Sequence, residues 1–401
     1  MQSIITRCVS NNFNVSFLTA ASESEHKADL STLGVDTYSV ALNCSSFNTL
    51  IEKLKPDVVI FDRYMTEEQF SWRVRESCPD AVRILNTEDM HSLRQARHDA
   101  VKRCGDAKYA ALNSELAQRE IAAILRSDLT LIISESEMAL LTEHYGVPKS
   151  QLYYHPLVVG PTPSYSTTFE ERAHFIHIGN FRHAPNWDAV LHLKQTLWPA
   201  IKKALPHAEL HIYGAYPPKK ATQLHNDKQG FLVKGWAEDV TSLMASAKVL
   251  IAPLRFGAGI KGKLLDAMRC STPSITTWVG VEGIISTSKN DSSECSSQTD
   301  LWPGAVCSTD ITKPEVIEDY VNQAVSLYTN KDVWESASLQ AKNTLDIFSA
   351  KQPDIALTDK MISLKNEIDG HRKTLFMQSL LWHQTLNASK YMSQWIEAKN
   401  K

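Results

Sequence analysis

Arg255, Lys261 and Lys263 stand among Gly257, Gly259 and Gly262 in the stretch Arg-Phe-Gly-Ala-Gly-Ile-Lys-Gly-Lys, residues 255–263. Residues 248–254 before it are apolar and β-branched and read as a buried strand; 264–268 after it read as the start of a helix. Glycines let backbone N–H groups approach a ligand closely, and a helix N-terminus adds partial positive charge. Lysines at a helix start oppose its dipole, so an anion is the better reason for Lys261 and Lys263 to be there. Arg255 suits the same anion, although an arginine can simply pair with a surface carboxylate. The chemistry implied is the binding of a diphosphate.

The same glycines also spell G-x-G-x-x-G, and Glu282 follows about 20 residues later, where a dinucleotide fold keeps its ribose-binding acid. Three features argue against that reading. The motif lies late in the chain, its surroundings are cationic, and a full set of strand signals precedes it in the same half. Cations at that loop suit the neutralisation of a departing phosphate better than the housing of a cofactor.

In the first half, His91 is the leading candidate for chemistry, because it follows the strand signal at 82–85, where ligand loops leave a parallel sheet. An imidazole there can donate to a hydroxyl or a developing charge, with Asp89 orienting it or meeting the acceptor; a structural His–Asp pair is the plain alternative. Arg63, Glu67 and Glu68 follow the strand signal at 57–61 and could line the same side. Trp236, after Gly235, would pack in the core or against a base. Glu282 would face a sugar or cap a turn. His174, His177 and His183 are too loosely placed for a metal site. G-x-S-x-G, H-E-x-x-H and G-x-x-x-x-G-K-[ST] are all absent, which leaves hydrolase, zincin and P-loop readings unsupported.

Strand signals at 14–19, 37–42, 57–61, 82–85, 129–134, 174–178, 209–213, 231–234, 249–252, 274–277 and 305–307 alternate with helical patterns such as 116–125 and 187–205. That alternation predicts α/β architecture with parallel sheets. Residues 155–166, with Pro156, Gly160, Pro161 and Pro163, read as a linker. The expected domains are 1–160, 167–345 and a helical tail, 346–401, whose Trp382, Tyr391 and Trp395 would be buried against the body. Residues 286–304 read as a surface loop. Residues 1–11 look helical and lead straight into a strand, so the first domain is expected to lack its opening strand. A net charge of −3 gives no case for nucleic acid, and no apolar run is long enough to cross a membrane. Seven scattered cysteines without C-x-x-C fit reduced thiols in the cytoplasm. Arg94, Arg97, Lys102 and Arg103 would form either a peripheral membrane contact or a solvated helix face.

Three segments carry a family resemblance: 175–186 with Gly179 and Asn180, 209–214, and 233–236 followed by 247–283. Their order resembles the nucleotide-sugar half of family 4 glycosyltransferases of the GT-B type; in the first half, 87–94 resembles the Asp-x-His loop of some members. The resemblance implies two facing Rossmann-like domains and transfer of a sugar from a nucleoside diphosphate sugar to a carbohydrate, glycolipid or protein acceptor. It implies retention of configuration, no metal and no cofactor. It would make His91, Asp89, Arg255 and Lys261 catalytic, and Gly179, Asn180, Arg182, Trp236, Gly257, Gly259, Lys263, Asp266 and Glu282 donor-binding. Asp266 matches the second of two glutamates that the family commonly carries; the first falls at Ala258, which has no polar group. Asn180 and Asn186 stand where many members place phosphate-binding cations, which shifts that role to Arg255 and the two lysines, with Arg182 helping. A non-catalytic nucleotide-sugar-binding protein and a sugar-nucleotide epimerase are the alternatives.

Overall fold

The structure, a computed structural model, describes residues 1–22, 28–163, 167–285, 301–310, 312–384 and 386–400. The greater part of the expected 286–304 loop lies outside the described residues. Contacts divide the chain into two units. The first comprises Met1–Glu88, Glu115–His155 and Pro353–Lys401; the second comprises Asp89–Ser114 and Pro156–Gln352.

The first unit contains two parallel sheets. β1 (Ser16–Thr19) pairs with β2 (Asp36–Ser39), and β3 (Val58–Asp62), β4 (Val82–Asn86), β5 (Leu129–Ile132) and β6 (Leu152–Tyr154) lie side by side in that order. β4 and β5 are buried along their whole length, as the centre of a parallel sheet covered by helices must be. β6 is absent from the strand signals above because it is three residues long and runs directly into the proline segment.

Arg83 lies on buried β4, and a charge there needs a partner. Asp128 provides it: its Oδ1 lies 3.4 Å from Arg83 Nη2, its Oδ2 accepts from the Arg83 backbone N–H at 2.8 Å, and its carboxylate also takes Arg372 Nε at 2.9 Å and Gln378 Nε2 at 2.8 Å. Arg372 and Gln378 come from the C-terminal helices Ile368–Thr374 and Phe376–Gln384. Trp382 donates its indole N–H to the Arg126 carbonyl at 3.0 Å, and the Arg83 guanidinium lies 4.8 Å from the centre of its ring. The tail is thus fastened to the first unit at a buried carboxylate. Tyr391 and Trp395 depart from expectation: they are 62% and 59% exposed, because helix Leu386–Asn400 turns that side outward.

The second unit is one six-stranded parallel sheet, β7 (Ala173–Ile178), β8 (Leu210–Tyr213), β9 (Phe231–Gly235), β10 (Ala247–Ile251), β11 (Ser274–Thr277) and β12 (Gly304–Cys307). Its spatial order is β12-β11-β10-β7-β8-β9, the doubly wound order of a dinucleotide-binding fold. One core joins Phe175, Leu210, Phe231, Val249, Ile251 and Ile275 of the sheet to Trp198, Tyr320 and Trp334 of the covering helices. The helical pattern 187–205 is realised as Ala184–His192, a π-type segment at Leu193–Leu197 and Trp198–Ala204. Pro199 sits in the first turn of the last piece, where its missing N–H disrupts the continuous helical ladder.

Candidate functional site

The chain leaves β7 toward β8 on one side and β10 toward β11 on the other, so these adjacent strands form the point where strand order reverses. Ligands of open α/β sheets bind outside the carboxyl ends of the strands at such a point. Two loops meet there: the turn at Gly179 after β7, and the glycine-rich loop after β10. The strand ends are tied together by His177, whose Nδ1 lies 2.8 Å from the Ile251 carbonyl oxygen. Burial lowers the His177 pKa to about 3, so the ring is neutral and Nδ1 carries the donated proton.

The Gly179 turn is held by close backbone approach. A Cβ on Gly214 would fall 2.1 Å from the Gly179 carbonyl oxygen, and one on Gly179 would fall 2.5 Å from the Asn186 side chain. Asn186, on helix Ala184–His192, donates from Nδ2 to the Asn180 carbonyl at 3.1 Å and accepts at Oδ1 from Lys263 Nζ at 2.7 Å. It therefore joins the two loops. An amide at 186 can donate to one loop and accept from the other, which a cation could not do. Gly179→Ala is expected to displace Asn186 and Lys263 together, and to weaken ligand binding at this site by about tenfold or more with a modest loss of stability; titration and thermal melting of the variant check it.

In the glycine-rich loop, Gly259 has φ +62°, a conformation that favours glycine. Lys261 is buried at the start of helix Gly262–Arg269 and donates to the Gly259 carbonyl at 2.9 Å, with Glu282 Oε2 3.9 Å from its Nζ. Burial lowers the Lys263 pKa to about 7. Asp266, on the same helix, lies 3.3 Å from Arg269 Nη2, and burial raises its pKa. Arg255 does not reach into the loop alone: its guanidinium makes a two-armed ion pair with Asp188, with Nε to Oδ2 at 2.8 Å. Arg255 thus has a carboxylate partner, although Asp188 is part-buried and not at the surface, and a ligand would meet a cation already paired.

Trp236 follows Gly235, whose φ is +80°, and is 50% exposed, so core packing does not account for it. Arg182 lies 3.9 Å from the centre of the Tyr216 ring, and its backbone N–H donates to Asn180 Oδ1 at 2.8 Å. Asp89 and His91 fall in the second unit by their contacts. His91 Nε2 is 3.4 Å from Asp89 Oδ1, and Arg94 pairs with the other carboxylate oxygen. The His–Asp pair therefore exists, with an arginine sharing the acid. Glu67 is buried in an ion pair with Arg126, and Glu68 pairs with Arg119 at the surface. The three arginines of the basic row are also engaged: Arg94 with Asp89, Arg97 with Glu282 and the Gly257 carbonyl, and Arg103 with the Tyr109 carbonyl. Among the described residues, no group of three His, Cys, Asp or Glu side chains is set to hold a metal ion, and no helix is long and apolar enough to cross a membrane.

Three residues of this site escaped sequence reasoning in the roles they have. Asp188 and Asn186 share the helix after the glycine turn, and their spacing of two signalled nothing by itself. In sequence Arg97 is only one member of a basic row.

Residues 172–297 match the family described as glycosyl transferases group 1. No curated protein matches the chain in sequence. Among solved structures, a S. aureus TarM mutant in complex with UDP and alpha-GlcNAc-glycerol aligns at TM-score 0.53 and 14% identity, over 82% of this chain and 58% of its own. Anabaena HepE in complex with UDP aligns at TM-score 0.59 and 10% identity, over 93% and 95%. Sucrose-phosphate synthase from Thermosynechococcus elongatus aligns at 0.57 and 13%, over 87% and 89%. The chain thus spans little more than half the length of TarM. At these identities the likeness concerns the fold, which is α/β of the GT-B type with a helical C-terminal region.

Proposed function

We propose that the protein transfers a sugar from a nucleoside diphosphate sugar to a hydroxyl acceptor, with retention and without a metal, a reading supported by the match of residues 172–297 to the family described as glycosyl transferases group 1. The observation that carries this is the meeting of the Gly179 turn and the Lys261–Lys263 loop at the reversal point between β7 and β10. The diphosphate occupies that junction, Asp266 accepts from the ribose hydroxyls, and Trp236 stacks on the base. Lys261, Lys263 and the helix N-terminus then neutralise charge on the leaving diphosphate, as a divalent ion otherwise would. UDP in the TarM and HepE complexes supports a nucleotide donor. His91, oriented by Asp89, serves the acceptor, which is a glycan, lipid-linked or protein hydroxyl, and the reaction takes place in the cytoplasm.

A screen of UDP-, GDP- and ADP-sugars with mixed glycan and glycolipid acceptors, with and without EDTA, tests the reading. Release of nucleoside diphosphate coupled to an α-to-α product, unchanged by EDTA, is expected. Binding without turnover on any acceptor would instead favour a non-catalytic nucleotide-sugar-binding protein, the reading that Ala258 supports by lacking a polar group.

Lys263 adds a pH dependence. Its pKa is lowered to about 7 in the free protein, and a diphosphate favours its charged form, so binding raises that pKa. Affinity for a sugar diphosphate, which has no titration of its own near neutrality, is expected to be full below about pH 7 and to fall as pH rises toward 9, with proton uptake on binding. Calorimetry in buffers of different ionisation enthalpy measures that uptake, and Lys263→Met removes it.

A further inference from the structure

Helix His91–Cys104 belongs by its contacts to the second unit, and Arg97 and His98 join it to the glycine-rich loop. Arg97 Nη1 donates to the Gly257 carbonyl at 2.8 Å and to Glu282 Oε2 at 2.6 Å, while Nη2 donates to Glu282 Oε1 at 2.7 Å. One residue on, the His98 ring stacks on Phe256 with centroids 4.3 Å apart. The helix therefore grips the loop at Phe256 and Gly257 and the turn after β11 at Glu282.

Glu282 also lies 3.9 Å from Lys261. A carboxylate beside a lysine competes with any phosphate for that lysine. A two-armed arginine fork fills both oxygens of a carboxylate with directed hydrogen bonds, and lysine cannot match that geometry. The Arg97–Glu282 contacts are shorter than the Lys261–Glu282 contact by more than 1 Å.

The geometry points to Arg97 as a positioning residue for donor binding: by taking the closer, two-armed share of Glu282 and holding the loop at Gly257, it keeps that carboxylate's pairing with Lys261 at 3.9 Å and so limits its competition with the diphosphate for the ammonium group. Arg97 itself does not touch the diphosphate. Without it, Glu282 closes on Lys261, and the donor meets a cation more fully neutralised although no phosphate ligand has been removed. This inference rests on the nucleotide-sugar reading for its ligand, but its mechanical half, the grip on Gly257, does not.

The test uses Arg97→Ala, Arg97→Lys, Glu282→Gln and the double variant Arg97→Ala/Glu282→Gln in the full chain. Binding of UDP, GDP and ADP is followed by calorimetry, and amide exchange across 257–262 is followed in the ligand-free protein. Arg97→Ala is expected to weaken binding on the order of tenfold and to speed exchange in the loop by a similar factor. Removing Glu282 as well should bring affinity back to within about threefold of the parent. Arg97→Lys should fall between Arg97→Ala and the parent. A double variant as weak as Arg97→Ala would overturn the proposal, since Arg97 would then act on the ligand directly or by folding alone. Unchanged binding and exchange in Arg97→Ala would also overturn it. Failure of the parent to bind any of the three nucleotides would count against the proposed function, and the exchange measurement alone would then decide the grip on the loop.

Discussion

Lys261→Ala is expected to lower turnover with the accepted donor by about 100-fold to 1,000-fold, the usual effect of removing one preorganised group from a site where negative charge develops. The lysine is buried at the start of helix Gly262–Arg269, and its ammonium is held by the Gly259 carbonyl. It is in place before the reaction begins, so it costs no reorganisation when the sugar–phosphate bond breaks. Charge on the diphosphate grows as the bond lengthens, so the larger part of the loss should fall in kcat rather than KM. Steady-state kinetics of the variant checks the split. Arg255→Ala should do less, because the Arg255 cation is already offset by Asp188. If the two variants lose activity equally, that ranking is wrong.

Asp128→Ala is expected to destabilise the first unit by about 3–5 kcal/mol, the usual cost of leaving buried charge unpaired. Arg83 would keep its burial and lose its counter-charge, while Arg372 and Gln378 would lose the acceptor that fastens the C-terminal helices. Thermal melting of the variant should show a drop of roughly 10 °C. The pH dependence carries the same signature. The hydrogen bonds and positive charge of Arg372 and Arg83 outweigh burial and hold the Asp128 carboxyl at about 2, below its value in the unfolded chain. Its contribution is therefore fully present above about pH 4 and is lost as pH falls through 2. Stability of the parent should fall across that window, and the variant should lack this share of the fall. A variant that melts with the parent would show that the tail is held elsewhere.

The alternation of apolar runs and amphipathic helices revealed the parallel sheets, because strands such as 82–86 and 247–251 are buried by their own composition. The glycine-rich loop was legible for the same local reason: glycines, cations and a helix start are adjacent in sequence. Pairings between distant side chains were not. Arg255 meets Asp188 across 67 positions and Arg97 meets Glu282 across 185, and no period or motif reports such a contact. The assignment of 89–114 to the second unit's contacts was hidden likewise, since those residues interrupt the first unit's strands in sequence. Tyr391 and Trp395 misled because aromatic residues usually bury, and sequence alone does not orient a terminal helix.

The central claim is that the junction after β7 and β10 holds the diphosphate of a sugar donor. Calorimetric titration of the full chain with UDP-, GDP- and ADP-sugars, beside Lys261→Ala, tests it most directly. At least one donor should bind the parent at a single site and bind the variant at least about tenfold more weakly. If no donor binds the parent, or if the accepted donor binds both proteins equally, the diphosphate does not lie where Gly179 and Lys261 have been placed.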